Sequence, residues 1–278
     1  MTTTLTPPRQ PDPAILNAFD RDGYAVIRQA IDRTLRASLL NAAERLLAGD
    51  ITCGRDQGGD GKDGFRGCLN LDRAFLPLLA NPRTLPTIVG LLSPNLHLLS
   101  AHLIALPSGP PRTIRTPERP GWHRDMYGVT GDLGFALTPR MAIKVAHYLT
   151  PITDDCGLTM FLPGSHLLTE EPGIPDGDAD PVGALTPGLK DGDAVLFENR
   201  TWHASGINLS GRPRIALMLQ YGYQWLHPVD DPATELLADP NLSPIERQLV
   251  GMPDRNPDGS LAKGAGAAPL HNWWHSTV

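Results

Sequence analysis

Two short stretches of this 278-residue chain carry side chains that chemistry would use. The first is GWHRDMYG, residues 121–128, where one spacer separates His123 from Asp125. On a strand, residues i and i+2 share a face, so an imidazole nitrogen and a carboxylate oxygen placed there can aim at one point. Adjacent positions on a metal ion need that arrangement. A third ligand would complete a two-histidine, one-carboxylate facial triad, which leaves half of an octahedral ferrous ion open for substrate and oxygen. By itself His-x-Asp is weak evidence, since many proteins contain it by chance.

The second stretch is AVLFENRTWHASGINLSGRPRIALML, residues 194–219. Two β-type runs flank INLSG, which reads as a hairpin turn. With that turn centred on Asn208 and Leu209, His203 and Arg214 are equidistant from it and stand opposite one another on paired strands, on one face. This suits a chelating dicarboxylate. One end would sit on a metal held by His203, and the other would meet the guanidinium fork of Arg214. Ser205, two residues from His203, shares its face. An inward arginine is costly unless an anion pairs with it; the alternative reading puts Arg214 on the solvent face, with Arg212 as its equal.

Strands must position these groups. From residue 95 onward LHLLSAHLIAL, MAIKVAHYL, LTMFLPG, DAVLFEN and RIALMLQYGYQ are short apolar or alternating runs separated by turn material, as in an antiparallel sandwich or barrel. Before them, PAILNAFDRDG reads as a helix stopped by Gly23 and YAVIRQ as a strand. DRTLRASLLNAAERLLAG reads as a second helix with Asp32 as N-cap, Leu35, Leu39 and Leu40 on one face, and Gly49 as its stop. Residues 54–64 form a nearly apolar-free stretch, either a solvated loop or a lid. Residues 73–92 look helical, interrupted by Pro82 and Pro86. PIERQLVG is a last helical segment before the terminal HNWWH. Without a repeat or a sharp linker, the expectation is one domain over 1–278: a core at about 95–225, a helical part at about 13–92 and an extension at about 228–278.

Composition narrows the function classes. With 41% apolar and 19% charged residues and a formal net charge of −6, the chain reads as a soluble globular protein. No basic block suggests nucleic acid or an anionic membrane as partner. The 28 glycines and 28 prolines favour many short strands and loops over a helical bundle. MTTTLTPPRQPDP lacks the regions of a signal peptide. The scattered Cys53, Cys68 and Cys156 fit neither a disulfide framework nor a cysteine zinc site. A reducing cytoplasm, where ferrous iron persists, is the expected location.

HRD (123–125), LTMFLPGSH (158–166) and HASGINLSGRPR (203–214), with DRDGYAVIRQAID near the N-terminus, resemble the phytanoyl-CoA dioxygenase family of Fe(II)/2-oxoglutarate-dependent oxygenases from about residue 13 to about 225. The resemblance implies a mainly β fold: a double-stranded β-helix (jelly roll, cupin-like) core with flanking N-terminal α-helices. It implies Fe(II) held by His123, Asp125 and His203, 2-oxoglutarate anchored by Arg214 rather than Arg212 with help from Ser205, and O2 as co-substrate. The implied reaction gives succinate and CO2 and hydroxylates, or otherwise oxidises by C–H abstraction, a small-molecule substrate such as a secondary-metabolite intermediate. The protein would act as a monomer or homodimer. An acid at Asp125 argues against halogenation, since halogenases of this superfamily leave that position to a halide. Two departures stand out. Leu106 precedes Pro107-Ser108-Gly109 where many relatives have a lysine shortly before Pro-Gly, and Arg124 replaces their glutamine.

Other residues carry weaker expectations. Trp122 either walls the pocket or packs behind it, and Arg124 and Tyr127 are placed for substrate selection. Lys144 alternates with His147, so if its face looks inward the ammonium contacts substrate or cosubstrate while His147 is a hydrogen-bonded core residue. His166 and His102 read as structural, the latter near the cavity if it turns inward. Arg112, Arg115 and Arg119 with Glu118 make a basic loop that would clamp an anion or simply be solvated. Trp273, Trp274 and His275 would cover the pocket, seal a dimer contact or pack on helices. Competing functions are a cupin-like Zn(II) or Mn(II) isomerase or hydrolase, and a non-catalytic binding jelly roll; neither needs a dicarboxylate anchor such as Arg214.

Overall fold

A computed structural model of the chain describes residues 11–57, 62–109, 121–230, 234–251, 260 and 268–276. Its elements, in chain order, are α1 (Pro13–Asp22), β1 (Tyr24–Ile27), α2 (Arg33–Ala48), β2 (Asp63–Arg66), α3 (Leu85–Leu91), β3 (Leu96–Leu106), α4 (Tyr127–Leu133) and β4 (Ala142–Tyr148), followed by β5 (Thr159–Phe161), β6 (Ala194–Glu198), β7 (His203–Ser205), β8 (Arg214–Tyr223), α5 (Thr234–Leu237), α6 (Pro244–Leu249) and α7 (Ala268–His275).

Local chemistry sets the first elements as expected. Asp12 caps α1 by accepting from the Ala14 amide, and Gly23, with φ of 79°, ends it in the left-handed region that turns the chain into β1. A side chain at Gly23 would also meet Thr201, since a Cβ there would lie 2.4 Å from its Oγ1. Asp32 caps α2 through the Leu35 amide. Leu39 is buried on the inner face of α2, with Leu35 and Leu40 half-buried beside it. Gly49 ends α2 in extended rather than left-handed backbone.

Two antiparallel sheets face each other. The larger has six strands in the order β1-β6-β4-β8-β3-β2, and the smaller pairs β5 with β7. Isolated bridges Phe161–Leu185 and His123–His203 widen the smaller sheet on both sides. This is the expected mainly β, jelly-roll arrangement. Strand alternation then divides the larger sheet. Ile143, Val145, Leu217, Leu219 and Tyr221 pack outward against Leu39, Ala42, Ile88, Leu249 and Trp273 of the helices. Ala146, Tyr148, Val195, Phe197 and Ala216 pack inward with Phe161. Each fully buried large side chain contributes about 1.5–3 kcal/mol.

Four expectations need correction. The helical N-terminal part supplies β1 and β2 as the two edge strands of the larger sheet, so that sheet is not confined to 95–225. The polar 54–64 stretch is not all loop: Asp63 and Gly64 already pair with Ala105 and Ile104. Only glycine fits at 64, because a Cβ would lie 2.0 Å from the Leu103 carbonyl oxygen. Pro86 opens α3 at its first turn instead of interrupting a helix, since that position needs no amide donor. Finally, INLSG is not a hairpin. β7 pairs with β5, whereas β8 pairs with β3 and β4. Asn208 donates its amide to the carbonyls of Leu106 and Arg212, and the Leu209 amide donates to Asp155, so the segment crosses from one sheet to the other.

At the C-terminus, Ser243 and Glu246 form a reciprocal capping box on α6. Leu270 and Trp273 of α7 are buried in the outer core, and Gln248 accepts the Leu270 amide, so the HNWWH segment packs on the helices. Among the described residues no helix is long and apolar enough to cross a membrane.

His147 lies in this outer core, on the β4 face opposite Lys144, with no hydrogen-bond partner at Nδ1 rather than the bonded imidazole anticipated. Burial lowers its pKa from 6.5 to about 4. The unfolded chain therefore binds the extra proton between these values, and stability is full above the upper one and falls as pH drops toward the lower. The contribution at the limit is on the order of 3 kcal/mol. In urea titrations at about pH 7.5 and about pH 5, His147→Leu should lose stability less steeply with acid than the wild type. Equal slopes would refute this origin.

Candidate metal centre

The site is built on one backbone contact. The His123 amide donates to the His203 carbonyl at 2.9 Å, and the His203 amide returns the bond at 3.0 Å. The two imidazoles are thereby held with ring centroids 4.3 Å apart. Each ring is oriented from behind: Nδ1 of His123 lies 3.0 Å from the Gly121 carbonyl, and Nδ1 of His203 lies 2.8 Å from that of Thr201. A carbonyl only accepts, so both Nδ1 atoms carry the proton and both Nε2 atoms are lone-pair donors, the tautomer a metal needs.

Asp125 arrives differently from expectation. Only His123 is in a bridge, and Asp125 sits in a bend just before Met126, whose φ of 61° turns the chain into α4. Ligand-capable atoms of His123, Asp125 and His203 nonetheless all lie within 4.8 Å of one another. Asp125 Oδ1 accepts from Lys144 Nζ at 2.8 Å, while Oδ2 is buried without a hydrogen-bond partner among the described residues. Burial alone would raise the Asp125 pKa, but Lys144 and His203 outweigh it and bring it down to about 2. Burial, reinforced by His123, lowers His203 to about 3, and burial lowers His123 as well. Near neutrality the trio is therefore two neutral imidazoles and a carboxylate, ready for a divalent cation without a proton to displace.

Across the cavity, β8 directs Arg214 inward from its first position. The residue is 2% exposed, its Nε and Nη1 have no hydrogen-bond partner among the described residues, and its guanidinium lies 5.4 Å from the Tyr148 ring centroid. Ser205 on β7 is paired in register with Thr159 on β5, whose hydroxyl accepts from Tyr148 at 2.9 Å. A cavity of about 750 Å³ joins the trio to Arg214, Ser205 and Thr159. A buried guanidinium with open donors calls for an anion, and the trio offers a cation site, so together they fit a metal ion with a dicarboxylate bound to it.

The sequence profile of the phytanoyl-CoA dioxygenase (PhyH) family matches residues 19–216. The chain belongs to this family. Its fold is shared with the epimerase SnoN, solved in complex with Fe3+, alpha ketoglutarate and nogalamycin RO: TM-score 0.62, 22% identity, covering 91% of this chain and 97% of that one. The non-heme alpha ketoglutarate-dependent carbocyclase SnoK from nogalamycin biosynthesis is similar at TM-score 0.62 and 18% identity, covering 86% and 96%. In sequence, an uncharacterised protein of Mycobacterium tuberculosis is 27% identical over 214 residues, 74% of each chain. Dioxygenase cdmA of Talaromyces verruculosus is 38% identical over 99 residues, 35% of this chain and 32% of that protein.

Of the residues singled out from this family member's sequence, the fold gathers His123, Asp125, His203, Arg214, Ser205, Lys144 and Tyr127 on one cavity. Trp122 and Arg124 do not line this cavity. They alternate with the ligands and so point to the other side of the chain. Trp122 packs with Trp202 and Ala204 and donates Nε1 to Asp180 at 2.9 Å. Arg124 is buried, donating to the carbonyls of Phe135, Ser165 and Leu168, with its guanidinium 3.4 Å from the Phe135 ring centroid. His166 is structural, 3.1 Å from the Asp20 carbonyl. His102 does turn inward, 3.2 Å from Asp56 Oδ2. Arg112, Arg115, Glu118 and Arg119 lie outside the described residues. Thr159, Ser100, Met218 and Gln220 also line the cavity without having been anticipated. Strand alternation from Arg214 reaches Met218 and Gln220 directly; nothing periodic marks Asp56 or Lys62 in the glycine-rich stretch.

Titration of the metal-free protein with Co(II), followed by its visible absorption, should separate ligands from neighbours. His123→Ala, Asp125→Ala and His203→Ala are each expected to weaken binding by at least about 10-fold. His147→Leu, altered on the opposite face of β4, should stay within about twofold of wild type. Undiminished binding in any of the three would remove that residue from the ligand set.

Proposed function

We propose that this protein is an Fe(II)- and 2-oxoglutarate-dependent oxygenase that hydroxylates, or otherwise oxidises by C–H abstraction, a small organic substrate. One observation carries the reading: a fully buried arginine with unpartnered donors opens onto the same cavity as a two-histidine, one-carboxylate cluster. A buried cation without a counterion is unfavourable, and a ligand that brings both a metal-chelating end and a second carboxylate relieves it. His123, Asp125 and His203 would hold the ferrous ion. Arg214, with the Ser205 hydroxyl, would take the far carboxylate of 2-oxoglutarate.

When bound, iron, 2-oxoglutarate and O2 supply the oxidising power, the keto acid leaving as succinate and CO2 while a substrate C–H bond is broken. The chain's own part is positional. Lys144 holds one oxygen of Asp125, so that carboxylate is restrained in orientation before any metal arrives. Thr201 and Gly121 hold the imidazoles. Phe197 and Met218 supply apolar wall beside these polar groups. Asp125 occupies the position that a halide would need, which favours oxygenation over halogenation. The fold is shared with an epimerase and a carbocyclase, and we infer a secondary-metabolite intermediate as substrate, with cytoplasmic action where ferrous iron persists. Zinc or manganese chemistry on the same trio would leave Arg214 without a role.

Anaerobic addition of Fe(II) and 2-oxoglutarate should produce a weak visible charge-transfer band that His203→Ala abolishes. Arg214→Ala should raise the 2-oxoglutarate requirement by at least about 30-fold, near 2 kcal/mol, while changing that for iron far less. Absence of the band, together with no substrate-stimulated succinate, would refute the reading; equal effects of Arg214→Ala on iron and 2-oxoglutarate would refute the anchor.

A further inference from the structure

The larger sheet presents to the cavity a row of side chains that neither the metal cluster nor the anion anchor uses. Lys144 on β4 is paired in register with Gln220 on β8, and Gln220 with Ser100 on β3. All three line the cavity, as does His102 on the same face of β3. Neighbouring strands are spaced by ~4.8 Å. The row therefore starts beside Asp125, where Lys144 Nζ is 2.8 Å from Oδ1, and runs across the cavity wall away from it.

Gln220 and Ser100 are each only 6% exposed. Neither the amide nor the hydroxyl makes a side-chain hydrogen bond with another described residue, and both face the cavity. Their capacity is open to the cavity. His102 adds an acceptor: its Nε2 lies 3.2 Å from Asp56 Oδ2 and so carries the proton, leaving Nδ1 with a lone pair. Burial, helped by Arg66, keeps this imidazole neutral, with its pKa down to about 4.

A β-bulge adjoins the row. Leu98 is paired with Tyr221 and Ser100 with Gln220, so Leu99 is an inserted residue. The extra residue shifts the register of Leu96–Leu98, while Ser100 to Leu106 pair without a break with Gln220 to Arg214. Leu99 packs over Gly222, where a Cβ would lie 2.5 Å from its Cδ1.

Lys144 and Arg66, the cations flanking this row, already have carboxylate partners: Lys144 is engaged by Asp125, and Arg66 by Asp56 at 3.1 Å. An acyl chain would leave the amide and the hydroxyl buried and unpaired. A hydroxyl both donates and accepts, and so satisfies the amide, the serine and the imidazole alike. We propose that Ser100, His102 and Gln220 form a recognition row for an uncharged, hydroxyl-rich face of the substrate. The row selects against acyl chains and anionic headgroups, because a site built to bond hydroxyls rejects analogues that lack them. This rests on reading the cavity as the oxygenase active site.

The test uses full-length protein, metal-free and anaerobically loaded with Fe(II) and 2-oxoglutarate, and three probes: methyl glucopyranoside, tetrahydropyran and hexanoate. Binding is followed by saturation-transfer NMR. Methyl glucopyranoside should bind in preference to the other two. Gln220→Leu and Ser100→Ala should each weaken it by about tenfold or more, with Gln220→Asn intermediate. The charge-transfer band and the thermal midpoint of Ser100→Ala should match wild type, which separates recognition from folding. Tetrahydropyran or hexanoate binding as tightly as methyl glucopyranoside overturns the proposal, as does sugar binding that is absent or indifferent to both variants. A band without such binding defeats the row alone. Variant-sensitive sugar binding without a band defeats the oxygenase reading and leaves the row standing.

Discussion

The reciprocal backbone hydrogen bonds between His123 and His203 are the contact on which the centre depends. They bring together residues far apart in the chain and fix the distance between two imidazoles before any ligand is present. They also add a lane to the smaller sheet, beside β7, as the Phe161–Leu185 bridge does beside β5. Ring orientation follows from the next shell of carbonyls, at Gly121 and Thr201, so metal-ready geometry is a by-product of sheet pairing.

Charge balance is the second constraint. Asp125 and Lys144 neutralise one another at one end of the cavity, and Arg214 stands buried at the other without an ion-pair partner among the described residues. A folded protein tolerates such an arginine only where the rest of the fold over-determines its position. Here β8 is held between β3 and β4, both long, and Tyr148 places its ring near the guanidinium. The strain is local and the support is distributed over the sheet, as expected of a binding site mounted on a rigid scaffold.

Much of this was legible in the residues. The caps at Asp12 and Asp32, the left-handed stop at Gly23 and the alternating runs of β3, β4, β6 and β8 are local signals with local causes. The bulge at Leu99 was not legible. Its extra residue is recognisable only once the partner strand is known, and it shifts the register of Leu96–Leu98 against Tyr221–Tyr223. The crossing of INLSG between sheets was also hidden, because its turn chemistry suits a hairpin equally well and only Asn208 bonding to Leu106 and Arg212 selects the other outcome.

Sequence alone determined the ligand types, the family and the mainly β fold, since these depend on residue identity and local spacing, whereas the inward face of Arg214 rested on the family resemblance until β8 placed it. Tertiary structure decided which neighbours of the ligands share their cavity. Trp122 and Arg124 lie next to His123 in the chain, yet the two-residue period of extended backbone turns them toward other partners. His203 and Arg214 meet across two sheets rather than along a hairpin, because strand pairing is set by long-range hydrogen bonds that no short stretch of sequence contains.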